Sequence, residues 1–448
     1  MELLEAQRLE EGVSPAELYF FSPSIHPCRS TTLLRVNENF PKMIAPDAAL
    51  ALALQTMTVG PTQTVAHADA LGRVLARDIV SPLDLPPFAN SAMDGYAIIV
   101  GDVAGASVQT PIALRLGETL GAGDVPQREV KTGECAKIMT GAPLPPGAQG
   151  VIMREETRET EGIVSFLAPA QLGQNVRDAG SDIARGETVL SAGTRVRAAE
   201  LAMLAALGCA QVEVFARPRV GIVTTGEELV GVSAALQDGQ IRDSNGPALC
   251  ALCLSVGAEV VAQRHVGDAP DDLRATLDEL APTCDLILTS GGVSAGDFDP
   301  VRDVLLADAR VIFWKVAMKP GKPVMLALYQ GVPVFALPGN PVSVMVGWEE
   351  FARPALLKRA GARALRRLEV TARLSETLRS PAGKTEFVRA RVAREDGELI
   401  ARVSGDQGSG RLSTMTRANA LLVIEARQTQ LQAGTQVVAR LLDCTEVE

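Results

Sequence analysis

Between residues 217 and 360 two patterns alternate along the chain. Short apolar runs in RVGIVTTG, AEVVAQRHVG, CDLILTSGG and VPVFALPGNP have the length and flanking glycines of buried strands. The segments PALCALCLSVG, DDLRATLDEL, VRDVLLAD and SVMVGWEEFA, which follow them in turn, read as helices. This alternation predicts a doubly wound α/β domain with a mostly parallel sheet. Polar motifs fall where the strands end: Thr225-Gly226-Glu227-Glu228, Asp268, the loop 290–299, and Pro338-Gly339-Asn340-Pro341. Ligands of such folds bind outside the carboxyl ends of the strands, so the four motifs are expected to meet.

The flanking pattern is different. Residues 1–42 pass from an acidic, helix-compatible start into SPSIHPCRSTT, show no motif, and read as an N-terminal extension. The pattern tightens at Met43, where PDAALALALQTM predicts a helix opened by Pro46-Asp47. Prolines 82, 86 and 87 then break regular structure, and NSAMDGYAI lies in an ordered loop. Residues 96–175 read as short strands between glycine and proline turns, with Thr140-Gly141 at a strand end. After residue 176 the chain turns toward a helix near Ala198. A β domain over 89–175 is thus expected as an insertion between 43–88 and 176–216, the halves of one elongated domain. Residues 361–448 form a last strand-rich unit. In its EFVRARVA segment Val388, Ala390 and Val392 share one face, and Arg389 points away from the strand's expected core.

The chemistry concentrates in CDLILTSGGVSAGDFDPV, residues 284–301. Gly291, Gly292 and Gly296, placed between a strand and a helix, let backbone N–H groups approach an anion. Asp297 and Asp299 could hold a divalent cation beside it, although Asp299 before Pro300 is also an ordinary helix cap. In FWKVAMKPGKP, Lys315, Lys319 and Lys322 gather around a turn and suit an oxyanion. Ser409 and Arg411, in the polar loop GDQGSGRLS, offer hydrogen bonds or simply decorate the surface.

A net charge of -10 and few aromatics argue against nucleic acid or an anionic membrane as partner. Seven scattered cysteines, no clear signal peptide and no membrane-length apolar run fit a reducing cytoplasm. Cys250 and Cys253 form a CxxC in an apolar segment and read as buried thiols, since no second pair completes a metal set. With three histidines far apart in sequence, a histidine triad is improbable.

SAMDGYAI, IMTGAP, TTGEEL with IRDSN, SGGVSAGDFD, KVAMKPGKP, LPGNPVS, EFVRA and GDQGS occur here in that order. From Met43 onward the chain therefore resembles the molybdopterin molybdenumtransferases. The resemblance implies insertion of molybdate into adenylylated molybdopterin, with release of AMP and a requirement for magnesium. It implies a homodimer built from an elongated dimerisation domain, an inserted β domain, an α/β domain and a C-terminal β-barrel. The cleft would lie between the α/β domain of one subunit and the inserted domain of the other. By resemblance the catalytic residues are Asp94, Thr140, Glu228, Asp268, Asp299, Lys315 and Lys319, with Asp268 and Asp299 as magnesium ligands. Gly291, Gly292, Ser294, Lys322, Gly339, Asn340, Ser343, Arg389 and Ser409 would bind substrate, with Lys322, Ser343, Arg389 and Ser409 at molybdate. Transient contact with the upstream adenylyltransferase and with recipient molybdoenzymes is a further implication. Two other functions share this fold: a molybdopterin adenylyltransferase, which uses the α/β domain alone, and a non-catalytic scaffold.

Overall fold

The computed structural model describes residues 40–294 and 299–442. Asp297 and Gly296 of the glycine-rich loop lie outside these described residues.

The central element is a seven-stranded sheet. Its order is Lys42–Ile44, Arg310–Val316, Met325–Tyr329, Val332–Leu337, Leu286–Ser290, Arg219–Thr225 and Glu259–Val266. Successive residues of its inner strands are apolar because both faces are covered. Val220, Ile222, Leu286, Leu288, Phe335 and Leu337 enter one core, with the helix Pro46–Thr56 beyond it. Val223, Ile287, Val334 and Ala336 enter the other, against the helices Pro270–Leu280 and Pro300–Asp308. A run of this kind belongs to a doubly covered strand.

Four of the six neighbouring pairs are parallel, as the alternation predicts. The two antiparallel pairs join Arg310–Val316, Met325–Tyr329 and Val332–Leu337. Their connections are too short for a crossover. The second is a two-residue turn, Gln330-Gly331, with φ of 49° and 86°, as a tight hairpin requires. Pairing at the sheet edge begins one residue before the expected start at Met43. Lys42 stands opposite Trp314, and the Pro41 carbonyl accepts from the Trp314 amide.

The chain leaves this layer and returns through paired ribbons. Thr62–Ala66 runs antiparallel to Gln211–Phe215, Ile79–Val80 to Thr188–Leu190, and Asn90–Ser91 to Val176–Arg177. A small core of Ala70, Leu75, Val196, Leu204, Val212 and Val214 holds the first ribbon to the helix Ala198–Ala206. Beyond the last ribbon lies a separate six-stranded sheet whose strands fall between Gly95 and Phe166, with its own cores on either face.

At the C-terminal end, strand Thr385–Glu395 pairs with Glu398–Val403 on one side and Ala420–Ile424 on the other. Glu369–Leu374 and Gln436–Leu441 complete the ring. This closes a five-stranded barrel around Val388, Ala390 and Val392. The short strand Met318–Lys319 pairs with Thr385 and Glu386, tying the barrel to the α/β layer. The multidomain α/β-plus-barrel architecture is the expected one.

Candidate active site

Parallel strands end in register, so Thr224 stands beside Ser290, and Ser290 beside Leu337. The loops leaving these three strands surround a cavity of about 1160 Å³. Two glycines set its floor. Gly291 has φ 102°, and a β-carbon there would come within 2.6 Å of the Thr225 carbonyl and hydroxyl oxygens. Gly292 has φ 60° and packs on Pro300 and Val301 at the start of the next helix. A side chain at Gly291 would displace backbone, and one at Gly292 would be strained by its positive φ and tight fit, which explains the glycine pair.

Of the residues expected at the site, the cavity is lined by Glu228, Asp268, Gly291, Gly292, Ser294 and Asp299. Lys319, Lys322, Gly339, Asn340, Ser343 and Ser409 line it as well. The last of these arrives from the barrel, so the site spans the α/β layer and the barrel.

Asp268 is held by its neighbour: its amide donates to the Glu227 carboxylate at 3.2 Å. Asp299 occupies the cap position of helix Pro300–Asp308 but makes no side-chain capping hydrogen bond to it. Its Oδ2 lies 3.7 Å from the Arg302 guanidinium. The Lys319 ammonium pairs at 2.7 Å with Glu386, which the barrel strand places opposite it. An ammonium has three donors, so Lys319 can serve both Glu386 and a ligand.

Four expected residues do not line this cavity. Asp94 directly precedes strand Gly95–Ile98 and Thr140 follows strand Glu134–Ile138 of the six-stranded sheet, both in exposed turns. The Thr140 amide and hydroxyl donate to Asp94 Oδ1 at 2.7 and 2.8 Å. Those two bonds, with Arg154 nearby, hold the Asp94 carboxyl below its ordinary value. The pair is thus an oriented, ionised carboxylate facing solvent.

Lys315 has φ 68° and lays its ammonium 4.0 Å from the centroid of the Trp314 ring. Trp314 in turn donates to the Val293 carbonyl at 3.3 Å, bracing the glycine-rich loop. Arg389 leaves the barrel core as the alternation predicts, yet it is not on the surface. It is 1% exposed and donates to Thr414 Oγ1 at 3.2 Å and to the Gly408 carbonyl at 3.0 Å. Burial pushes its guanidinium pKa down, opposed by Glu386 and Asp406. Arg389 therefore holds the 405–411 loop that presents Ser409.

Sequence reasoning overlooked other contributors. Asp243 accepts from the Thr224 hydroxyl at 3.0 Å and from the amides of Asn245 and Gly246. Asn245 then donates to Ser290 Oγ at 2.9 Å and to the Gly339 carbonyl at 2.7 Å. One segment thereby cross-links three strand ends. The signal was present in IRDSN, because Asp-Ser-Asn before an apolar run marks a helix start. Arg242, Lys384 and Gln407 also line the cavity, and nothing local distinguishes them from surface residues.

Among the described residues, no group of three or more His, Cys, Asp or Glu side chains could enclose a metal. The expectation for the CxxC holds in part: Cys253 is fully buried, and burial raises its thiol pKa to about 12, while Cys250 is half-buried. Among the described residues no helix is long and apolar enough to cross a membrane.

Three family models match consecutive parts of the chain. They are the MoeA N-terminal region (domain I and II) over residues 44–208, the probable molybdopterin binding domain over 221–358, and the MoeA C-terminal region (domain IV) over 371–442. Molybdopterin molybdenumtransferase 2 of Mycobacterium tuberculosis is 41% identical over 380 residues, covering 84% of this chain and 93% of the relative. The molybdopterin molybdenumtransferase of Nostoc is 36% identical over 375 residues, covering 82% and 86%. Among solved structures, the molybdopterin biosynthesis moeA protein of Pyrococcus horikoshii superposes with a TM-score of 0.78. It is 33% identical, over 89% of this chain and all of that one.

Proposed function

This chain belongs to the molybdopterin molybdenumtransferases, transferases that insert molybdenum in molybdenum cofactor biosynthesis, and on that premise we propose that it acts on adenylylated molybdopterin and releases AMP. The observation that carries this reading is the cavity itself. It gathers the carboxylates of Glu228, Asp268 and Asp299 with the lysines and hydroxyls of Lys319, Lys322, Ser343 and Ser409 around the pair of glycines that sets its floor. An adenylylated substrate needs that floor for its phosphates, where backbone amides and the start of helix Pro300–Asp308 accept negative charge. Molybdate is a dianion, and Lys319, Lys322, Ser343 and Ser409 supply cationic and hydroxyl donors for it.

Asp268 and Asp299 would hold magnesium. The ion binds through one or two carboxylates together with substrate phosphates, which suits a cavity that presents these two carboxylates and, among the described residues, no preformed cage. When bound, it would spread charge over the phosphoryl oxygens being separated. Glu227 positions Asp268 for this, and Asn245 fixes the distance between the glycine floor and the Gly339 loop.

Asp94 and Thr140 stand apart from this cavity in their own chain. We infer a homodimer in which the inserted domain of one subunit brings its Asp94 to the cavity of the other. On this reading Asp94, kept ionised by Thr140, orients groups of the substrate at the mouth. The work is cytoplasmic, and the upstream adenylyltransferase and recipient molybdoenzymes are transient partners.

The test is AMP release from adenylylated molybdopterin with and without molybdate. Molybdate-dependent release supports the reading. ATP consumption on bare molybdopterin would mark an adenylyltransferase, and neither activity would mark a scaffold.

A further inference from the structure

A second cavity, of about 450 Å³, lies where the ribbon segments Gly72–Val74, Gly193–Arg195 and Phe215–Arg217 meet the α/β layer at Val256–Gly257 and residues 353–366. Six arginines line it (Arg73, Arg195, Arg217, Arg353, Arg363 and Arg366) and no Asp or Glu does. The chain as a whole has 53 acidic residues against 43 Lys and Arg, so a purely basic lining does not follow from composition. Arg366 pairs with Asp47, and Arg353 lies 3.7 Å from Glu349. Among the described residues the other four have no carboxylate within ion-pairing distance.

The backbone is shaped to these side chains. Gly193 has φ 82°, and a β-carbon there would fall 2.6 Å from Arg363 Cγ, so the glycine lets that arginine lie along the wall. Arg73 is buried and donates to the Phe215 carbonyl at 2.8 Å, while Arg217 donates to the Gly257 carbonyl at 3.2 Å. Burial first, and then the neighbouring Arg217 charge, push the Arg73 guanidinium pKa down, opposed in part by Asp69. Val74, Phe215 and Leu357 give the cavity an apolar side.

We propose that this arginine-lined cavity binds a small molecule carrying two or more phosphate groups, at a site separate from the molybdenum-inserting cavity. Arginine forks match phosphate oxygens two at a time, and several forks converging on one space select a polyphosphate over a monoanion. Because the lining comes from both the ribbons and the α/β layer, such a ligand would bridge them.

Inorganic pyrophosphate, titrated calorimetrically into the full-length protein, tests this. The wild type should bind it, less tightly as salt is raised. Arg195→Gln/Arg363→Gln should weaken that binding at least about tenfold, the loss of charge-assisted hydrogen bonds. Both side chains are exposed, so the unfolding temperature should hold. Lys322→Gln, in the other cavity, should leave the event in place. If the paired change unsettles the fold, Arg217→Gln should still weaken binding. No binding by the wild type, or binding lost in Lys322→Gln and unaffected by the arginine changes, would overturn the proposal.

Discussion

The Asn245 amide donates to the Ser290 hydroxyl at 2.9 Å, and with its second hydrogen to the Gly339 carbonyl at 2.7 Å, so one side chain spaces two loops of the cavity. Asn245→Ala should therefore affect catalysis more than folding. Each lost hydrogen bond contributes about 0.5–1.5 kcal/mol to stability, which in a chain of this size moves the melting temperature by only a few degrees. The expected outcome is a near-unchanged melting temperature with a clear fall in turnover per KM. A large loss of melting temperature at unchanged turnover would make Asn245 merely structural.

Arg389 separates two readings of one side chain. As a ligand for molybdate, Arg389→Ala would raise only the molybdate concentration needed. Buried against Thr414 and Gly408, it should instead act on the fold. Its removal takes a charged donor from Thr414 Oγ1 and from the Gly408 carbonyl, at about 1.5–3 kcal/mol for each lost bond. The expected result is a lower melting temperature, with both substrates bound less well as the Ser409 loop loosens. Thermal unfolding beside saturation curves for each substrate decides it.

The alternation of EFVRARVA gave the side of the strand that Arg389 occupies but not what covers that side. Periodicity reports which residues share a face, and only the tertiary arrangement brings the 405–411 loop over it. The same limit applies to Lys315, whose left-handed backbone and stacking on Trp314 no local pattern announces. The α/β layer was legible because its strands are buried on both faces and its motifs sit at strand ends. The tight hairpin Gln330-Gly331, which turns part of the sheet antiparallel, lacks the Asn-Gly signature that would have flagged it.

Asp299 occupies a cap position without making a capping hydrogen bond from its side chain. Asp299→Asn keeps the shape of the side chain and an acceptor facing Arg302, so the melting temperature should change little. It should lower turnover and move its magnesium dependence to higher concentration, since the charge that attracts the cation is gone. A fall in melting temperature with unaltered magnesium dependence would return Asp299 to a structural role.

Asp94 is depressed by the two Thr140 hydrogen bonds, with Arg154 contributing. A depressed carboxyl stays ionised to lower pH, so any stability or activity that depends on its charge is present above the ordinary carboxylate pKa and is lost as pH falls through the depressed one. Thr140→Val removes the hydroxyl donor and leaves the amide. The Asp94 pKa should rise toward its ordinary value, and the acid limb of the pH–rate profile should move up with it. Carboxyl carbon NMR titration of both proteins checks the shift independently of activity.

Strand Lys42–Ile44 covers the edge of Arg310–Val316, with the Ala317 amide bonded to the Ile44 carbonyl at 2.7 Å. A chain starting at Pro46 should melt below one starting at Phe40, because an edge ladder is removed and Trp314 loses its partner. Equal melting temperatures would show that the strand contributes nothing.

The central claim is that Asp94 and Asp268, on separate parts of one chain, serve one reaction across two chains. Mixed dimers of Asp94→Ala and Asp268→Ala subunits test it most directly, with heterodimers verified by native mass spectrometry. Each variant alone should release almost no AMP from adenylylated molybdopterin and molybdate. The heterodimer carries one cavity with both carboxylates intact and should recover up to about half of wild-type release, since one of two sites is whole. Heterodimers that form and remain inactive would contradict a site shared between subunits.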